Sequence, residues 1–137
     1  MAKLDVEVFI NADSRYKFDR KMVREAVKQV LMKEGLLGKV EVGLSVVGDR
    51  KMKQLNAAFR KKPYTTDVLS FPLEDTISPQ PFIGSPDSVM RLGDIVISYP
   101  VARDQAAQRN VMLDEEITFL TTHGLLHLLG HHHDEDD

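Results

Sequence analysis

Between Lys3 and Ile10 apolar and polar positions alternate, Leu4, Val6, Val8 and Ile10 against Asp5 and Glu7, and a period of two predicts a half-buried strand. Asp19 then suits a helix N-cap, and Met22, Val23, Ala26, Val27, Val30 and Leu31 follow at helical spacing until Gly35. Val40, Val42, Leu44 and Val46 alternate again. A second helical stretch carries Met52, Leu55 and Phe59, with Asp49 as its expected cap and Pro63 barring its continuation. Val68–Phe71 and Leu92–Ser98 read as two further strands. The stretch between them, about 74–90, holds three prolines and one glycine but no run of helical residues, which predicts a long mobile loop joining antiparallel neighbours. Pro100 opens a third helix running to about Gln108, and Asp114, Glu115 and Glu116 supply a cap and two first-turn acids to a fourth. In that last helix Ile117, Phe119, Leu120, Leu125, Leu126, Leu128 and Leu129 cover most azimuths, the pattern of a helix in the middle of the molecule, and Gly130 suits its C′ position. The expected class is α+β: one domain over residues 1–137, with a small mixed four-stranded sheet, helices packed on it and a buried histidine-bearing C-terminal helix.

Composition changes this picture little. A chain of 137 residues, 42% hydrophobic and 28% charged, is an ordinary globular domain rather than a disordered one. The absence of cysteine excludes disulfides, thiolate metal sites and cysteine nucleophiles, so any metal is held by nitrogen or oxygen. No signal peptide and no apolar run of the roughly 18 residues a membrane span needs are visible, and a cytoplasmic location is expected. Charge is more informative. Residues 1–62 carry 15 Lys and Arg against 8 Asp and Glu, and residues 63–137 carry 3 against 13, a division that the net −3 conceals. Arg50, Lys51, Lys53, Arg60, Lys61 and Lys62 would bind phosphate if the fold gathers them; otherwise they form a solvated helix face.

All five histidines lie in the last fifteen residues. His123 and His127, four apart, project from one helix face as two ligands of one metal must. Gly130 permits a reversal that returns one of His131, His132 and His133 toward the pair, and the spacing His-x3-His-x5-His selects His133. Zinc suits three such nitrogens, leaving a fourth position open for water, the catalytic arrangement. The competing readings are a fragment of an affinity tag and a pair of hydrogen-bonded core histidines. Zincin peptidases use the same helical pair but place a glutamate base after the first histidine, where this chain has Gly124.

The segment from His123 through Gly130 to His133 resembles the signature of the YbeY family of metal-dependent endoribonucleases that act in ribosomal RNA maturation. Leu55-Asn56 to Phe59-Arg60, Thr66 to Pro72 and Leu92 to Ser98 agree as well, in the family's order, over roughly residues 45–133. The resemblance implies that His123, His127 and His133 bind one zinc ion, that Arg60 is a functional cation in the same cleft, and that ribosomal RNA and the small ribosomal subunit are partners. One departure is His132, where the family usually has aspartate. On chemical grounds an arginine would stabilise charge developing on a phosphodiester, although an arginine ending a helix more often serves the helix dipole or a carboxylate. Asp67 is open between a strand-start cap, a partner of Arg60 and an outer support of the metal site. Ser70 is a candidate for the cleft, and Asp94 beside Gly93 suggests a β-bulge. The resulting expectation is a zinc-dependent endoribonuclease of ribosomal RNA processing and small-subunit quality control. Its competitors are a metal-dependent amide hydrolase and a non-enzymatic ribosome-assembly factor with a structural zinc.

Overall fold

A computed structural model describes residues 3–62, 65–73 and 89–131. Along the chain come β1 (Leu4–Ala12), α1 (Arg20–Lys33), β2 (Gly38–Val47), α2 (Asp49–Arg60), β3 (Val68–Pro72), β4 (Val89–Ser98), α3 (Tyr99–Arg109) and α4 (Leu113–Leu128). The four strands form one sheet in the order β1-β2-β4-β3, with β1, β2 and β4 parallel and β3 antiparallel to β4. The expected mixed α+β architecture and the antiparallel β3–β4 pair are therefore present. β4 starts earlier than its apolar run, because Val89 and Met90 already pair with Lys39 and Val40, which removes these two residues from the expected loop. Positions 74–88 of that loop lie outside the described residues.

Strand alternation sorts the side chains into two layers. Val8, Val40, Val42, Leu44, Val46, Ile95 and Ile97 enter the main core with Val23, Val27 and Leu31 of α1 and Ile117, Leu120, Leu125 and Leu128 of α4. On the opposite face Leu69 and Val96 pack with Met52 of α2 in a smaller cluster. α2 and α4 thus lie on opposite sides of the sheet. Between Glu41 and Gly43 of β2, β4 contributes one extra residue and Gly93 has φ +134°, the bulge that Gly93-Asp94 suggested.

Asp19 caps α1 as expected, its carboxylate accepting from the Met22 N–H at 3.0 Å. The two other expected caps are displaced, by one and two residues. Gly48 and Met112, both extended, are the N-caps of α2 and α4, and Asp49 and Asp114 fall inside the first turn, where their charge still complements the dipole. Asp114 Oδ1 instead accepts from the Asp19 N–H at 2.8 Å, tying the start of α4 to that of α1. Among the described residues no helix is long and apolar enough to cross a membrane.

Candidate metal centre

α4 is fastened to the sheet by Ile117, Leu120, Thr121, Gly124, Leu125 and Leu128, all buried. The Thr121 hydroxyl donates to the Ile117 carbonyl at 2.8 Å, so this polar group enters the core already satisfied. The near-continuous apolar azimuth implied burial all round. The structure leaves one side open, and Phe119, read from the sequence as core, is 48% exposed there.

On that side Phe119, His123 and His127 follow one another at four-residue intervals. The Phe119 and His123 rings are 6.2 Å apart and the His123 and His127 rings 4.7 Å apart, the latter inclined by 44°. Both histidines are half-buried rather than enclosed. Two imidazoles one turn apart on the same face suit a metal with nitrogen bonds of about 2.0–2.1 Å, and an all-nitrogen start to the donor set suits zinc. The residues present fit such an ion as its first two ligands. Among the described residues no third His, Asp or Glu completes a cluster with them. His132 and His133 lie outside the described residues. His131 is described: Gly130, at φ +94°, turns the chain out of α4, and His131 Nε2 lies 2.7 Å from Glu34 Oε1 at the end of α1. Of the three candidates for a third ligand, His131 is thus engaged elsewhere.

Gly124 explains how the pair sits so near the sheet. A β-carbon at this position would stand 2.8 Å from Ile95 Cγ2 and 3.3 Å from Val68 Cγ2. The position at which peptidases of the zincin type carry their glutamate is here pressed against two strands, with no room for a side chain.

Arg60 belongs to α2, which packs on the sheet face opposite α4. It is the last residue of α2, half-buried, and Lys61 then ends the helix in the left-handed region at φ 57°. Neighbouring Phe59 meets Phe71 of β3 edge to face at 5.1 Å, while Val68 of β3 packs toward Gly124 of α4. β3 is therefore the wall that the end of α2 and the histidine helix share. Arg60 has no carboxylate partner among the described residues. Its position in the last turn is also where a cation complements the helix dipole.

The other candidates separate clearly. Asp67 caps the start of β3, Oδ1 accepting from the Val68 N–H at 2.7 Å, while Oδ2 accepts from Gln105 Nε2 at 3.3 Å and so ties β3 to α3. Ser70 shares a strand face with Val68 and hence points to the α4 side. Within the basic segment Lys53 is committed to Asp49 at 3.1 Å, and this ammonium, helped by the Thr65 hydroxyl, holds the Asp49 carboxyl below the usual range. Arg50 and Lys51 are exposed on α2, and Lys61 is exposed just past its end. A groove of about 330 Å³, lined by none of the histidines, lies between β1 and α1, where Lys21, Arg24 and Lys28 line it beside Glu7 and Glu25.

The sequence reading passed over Arg109, took Glu116 only as a first-turn acid and took Phe119 only as core. Glu116, 1% exposed, pairs with Arg109 at 3.2 Å, and the Arg109 guanidinium lies 4.7 Å over the Phe119 ring. The signal that would have found Phe119 is its spacing, one turn ahead of His123.

Comparison with known proteins shows the family of the chain. A family model described as Endoribonuclease YbeY matches residues 9–137. A curated Endoribonuclease YbeY of Moorella thermoacetica is 45% identical over 101 residues, 74% of this chain and 65% of its own length. One from Roseiflexus sp. is 40% identical over 116 residues, 85% of this chain and 71% of its own. The chain thus spans about two thirds of the length of these relatives. A Thermotoga maritima protein of known solution structure superposes with a TM-score of 0.59 at 25% identity, over 96% of this chain and 77% of the other.

Proposed function

Because the chain belongs to the YbeY endoribonuclease family, we propose that it is a zinc-dependent endoribonuclease that processes ribosomal RNA and serves small-subunit quality control in the cytoplasm. The observation that carries this reading is the His123–His127 pair, 4.7 Å apart on the open side of an otherwise buried helix. In this reading His123, His127 and His133 would hold one zinc ion. When bound, zinc supplies Lewis acidity and brings the pKa of water down to about 7.

The chain's own residues do the rest. α4, locked to the sheet through Gly124 and its apolar neighbours, holds the two imidazoles at fixed spacing, so little reorganisation is needed when a phosphodiester arrives. Arg60 is the catalytic cation. Its planar fork of N–H donors binds the oxygens on which negative charge grows, a role that removing a single well-placed donor typically weakens by about 100- to 1,000-fold. The basic residues of α2 guide the RNA backbone toward it, a contribution that salt screens. An amide hydrolase is disfavoured by the same geometry, since the packing of Gly124 denies the helix its usual base.

The test is cleavage of a labelled ribosomal RNA fragment by the unaltered protein, Arg60→Ala and His127→Ala, purified in parallel and assayed with and without zinc, with metal content measured. Zinc-dependent cleavage lost in both variants, and zinc lost only from His127→Ala, is the expected result. Equal cleavage by all three overturns the proposal in favour of a contaminating nuclease and a non-enzymatic role. An RNA of equal length and unrelated sequence, cleaved as fast as the ribosomal fragment, removes the ribosomal assignment alone. A 2′,3′-cyclic phosphate on the product identifies the ribose hydroxyl as nucleophile.

A further inference from the structure

Phe119 is a large apolar side chain held in the open. Nothing in the core requires it, because Ile117, Leu120 and Thr121 already seat this turn of α4. Its ring is nonetheless braced. The Arg109 guanidinium lies over it at 4.7 Å, and Arg109 is itself anchored by Glu116, a carboxylate that is almost wholly buried. Toward the C-terminus the next ring on the same side is His123, 6.2 Å away, and then His127. An exposed aromatic surface, a guanidinium and two imidazoles therefore form one line along α4. This is the chemistry that recognises an unpaired nucleotide: a π-face for the base, a cation for the phosphate and, one helical turn on, the site of cleavage.

We infer that Phe119, braced by Arg109, is the stacking surface for an unpaired RNA base next to the bond that is cut. The inference rests on the endoribonuclease reading for its substrate, and on the geometry for its residue. The stacked base must be unpaired, because a paired base offers no free face. The inference also implies tolerance of base identity, since every base has a π-face.

The chain contains no tryptophan, so Phe119→Trp places a unique fluorophore at the proposed surface. Phe9→Trp does the same on exposed β1, at the opposite edge of the sheet, as a control. Titrating each full-length variant with an unlabelled single-stranded RNA dodecamer should quench the tryptophan at 119 saturably and leave that at 9 unchanged, while duplex RNA quenches neither. In cleavage assays Phe119→Ala should raise KM about 5- to 100-fold, the worth of one stacked base, with a smaller change in kcat, and Phe119→Tyr should restore it. Bound RNA, detected by anisotropy of a labelled strand, without quenching at 119 overturns the inference, as does an unchanged KM in Phe119→Ala. Quenching at 119 by a protein that cleaves nothing supports the stacking surface while removing the endoribonuclease reading, so the two fail separately.

Discussion

Replacing Gly124 with alanine sets two effects of opposite sign against each other. A glycine inside a helix forgoes about 1 kcal/mol relative to alanine, so propensity alone makes the variant more stable. Packing opposes this. The added methyl would stand 2.8 Å from Ile95 Cγ2, 3.3 Å from Val68 Cγ2 and 3.4 Å from Ile95 Cγ1, where carbon atoms prefer about 3.5–4.0 Å. Ile95 cannot retreat, because it is fully buried and its strand is paired on both sides, with Leu44 of β2 and Ser70 of β3 at this level. Overpacking of this kind costs about 1–3 kcal/mol, more than the propensity gain. The expected net loss is about 1 kcal/mol, read as a fall in Tm of about 3–6 °C for a chain of this size. Urea unfolding followed by circular dichroism measures it, and a double-mutant cycle isolates the cause. In an Ile95→Ala background the obstructing methyls are gone, so Gly124→Ala should there raise stability, by up to about 1 kcal/mol. If Ile95→Ala, which costs about 2–5 kcal/mol by itself, does not fold, Val68→Ala is the milder background. A Gly124→Ala variant more stable than the unaltered protein would refute the steric account and the explanation of why no glutamate follows His123.

Other perturbations separate the remaining contacts. Arg109→Ala leaves Glu116 buried without its cation and should cost about 3 kcal/mol, whereas Arg109→Ala combined with Glu116→Gln should recover part of that loss in the same denaturation assay. Asp67→Ala removes the acceptor of the Val68 N–H and the tie to Gln105 and should cost about 1–2 kcal/mol, with amide exchange accelerated at the start of β3. His131→Ala should keep a full complement of zinc while His133→Ala loses it, as read by metal analysis, since His131 is engaged with Glu34; its cost in stability should stay below about 1 kcal/mol.

Much of the fold was legible because its signals are local. Alternation from Leu4 to Ile10 and from Val40 to Val46 reflects strands with one face in the main core, and the Asp19 cap and the Gly93 bulge are backbone features that single residues announce. The i, i+4 pairing of His123 with His127 follows from helix geometry alone, which is why half of the candidate site could be named before any tertiary contact was known. Asp49 and Asp114 misled by a residue or two because a cap is defined by backbone angles as well as by side-chain chemistry, and Gly48 and Met112 are the extended residues.

What only the tertiary structure decided is which surfaces meet. Periodicity carries no record of strand order, so the placement of β4 between β2 and β3, and of α2 and α4 on opposite faces, is settled by nonlocal packing. The apolar character of α4 is a property of its residues. Its open side, with Phe119 in solvent and Arg109 over its ring, depends on which neighbours the sheet leaves out. Asp67 chose the start of β3 and Gln105, and His131 chose Glu34, because a hydrogen bond goes to the group that folding brings within reach, and for Gln105 and Glu34 that group comes from a distant part of the sequence.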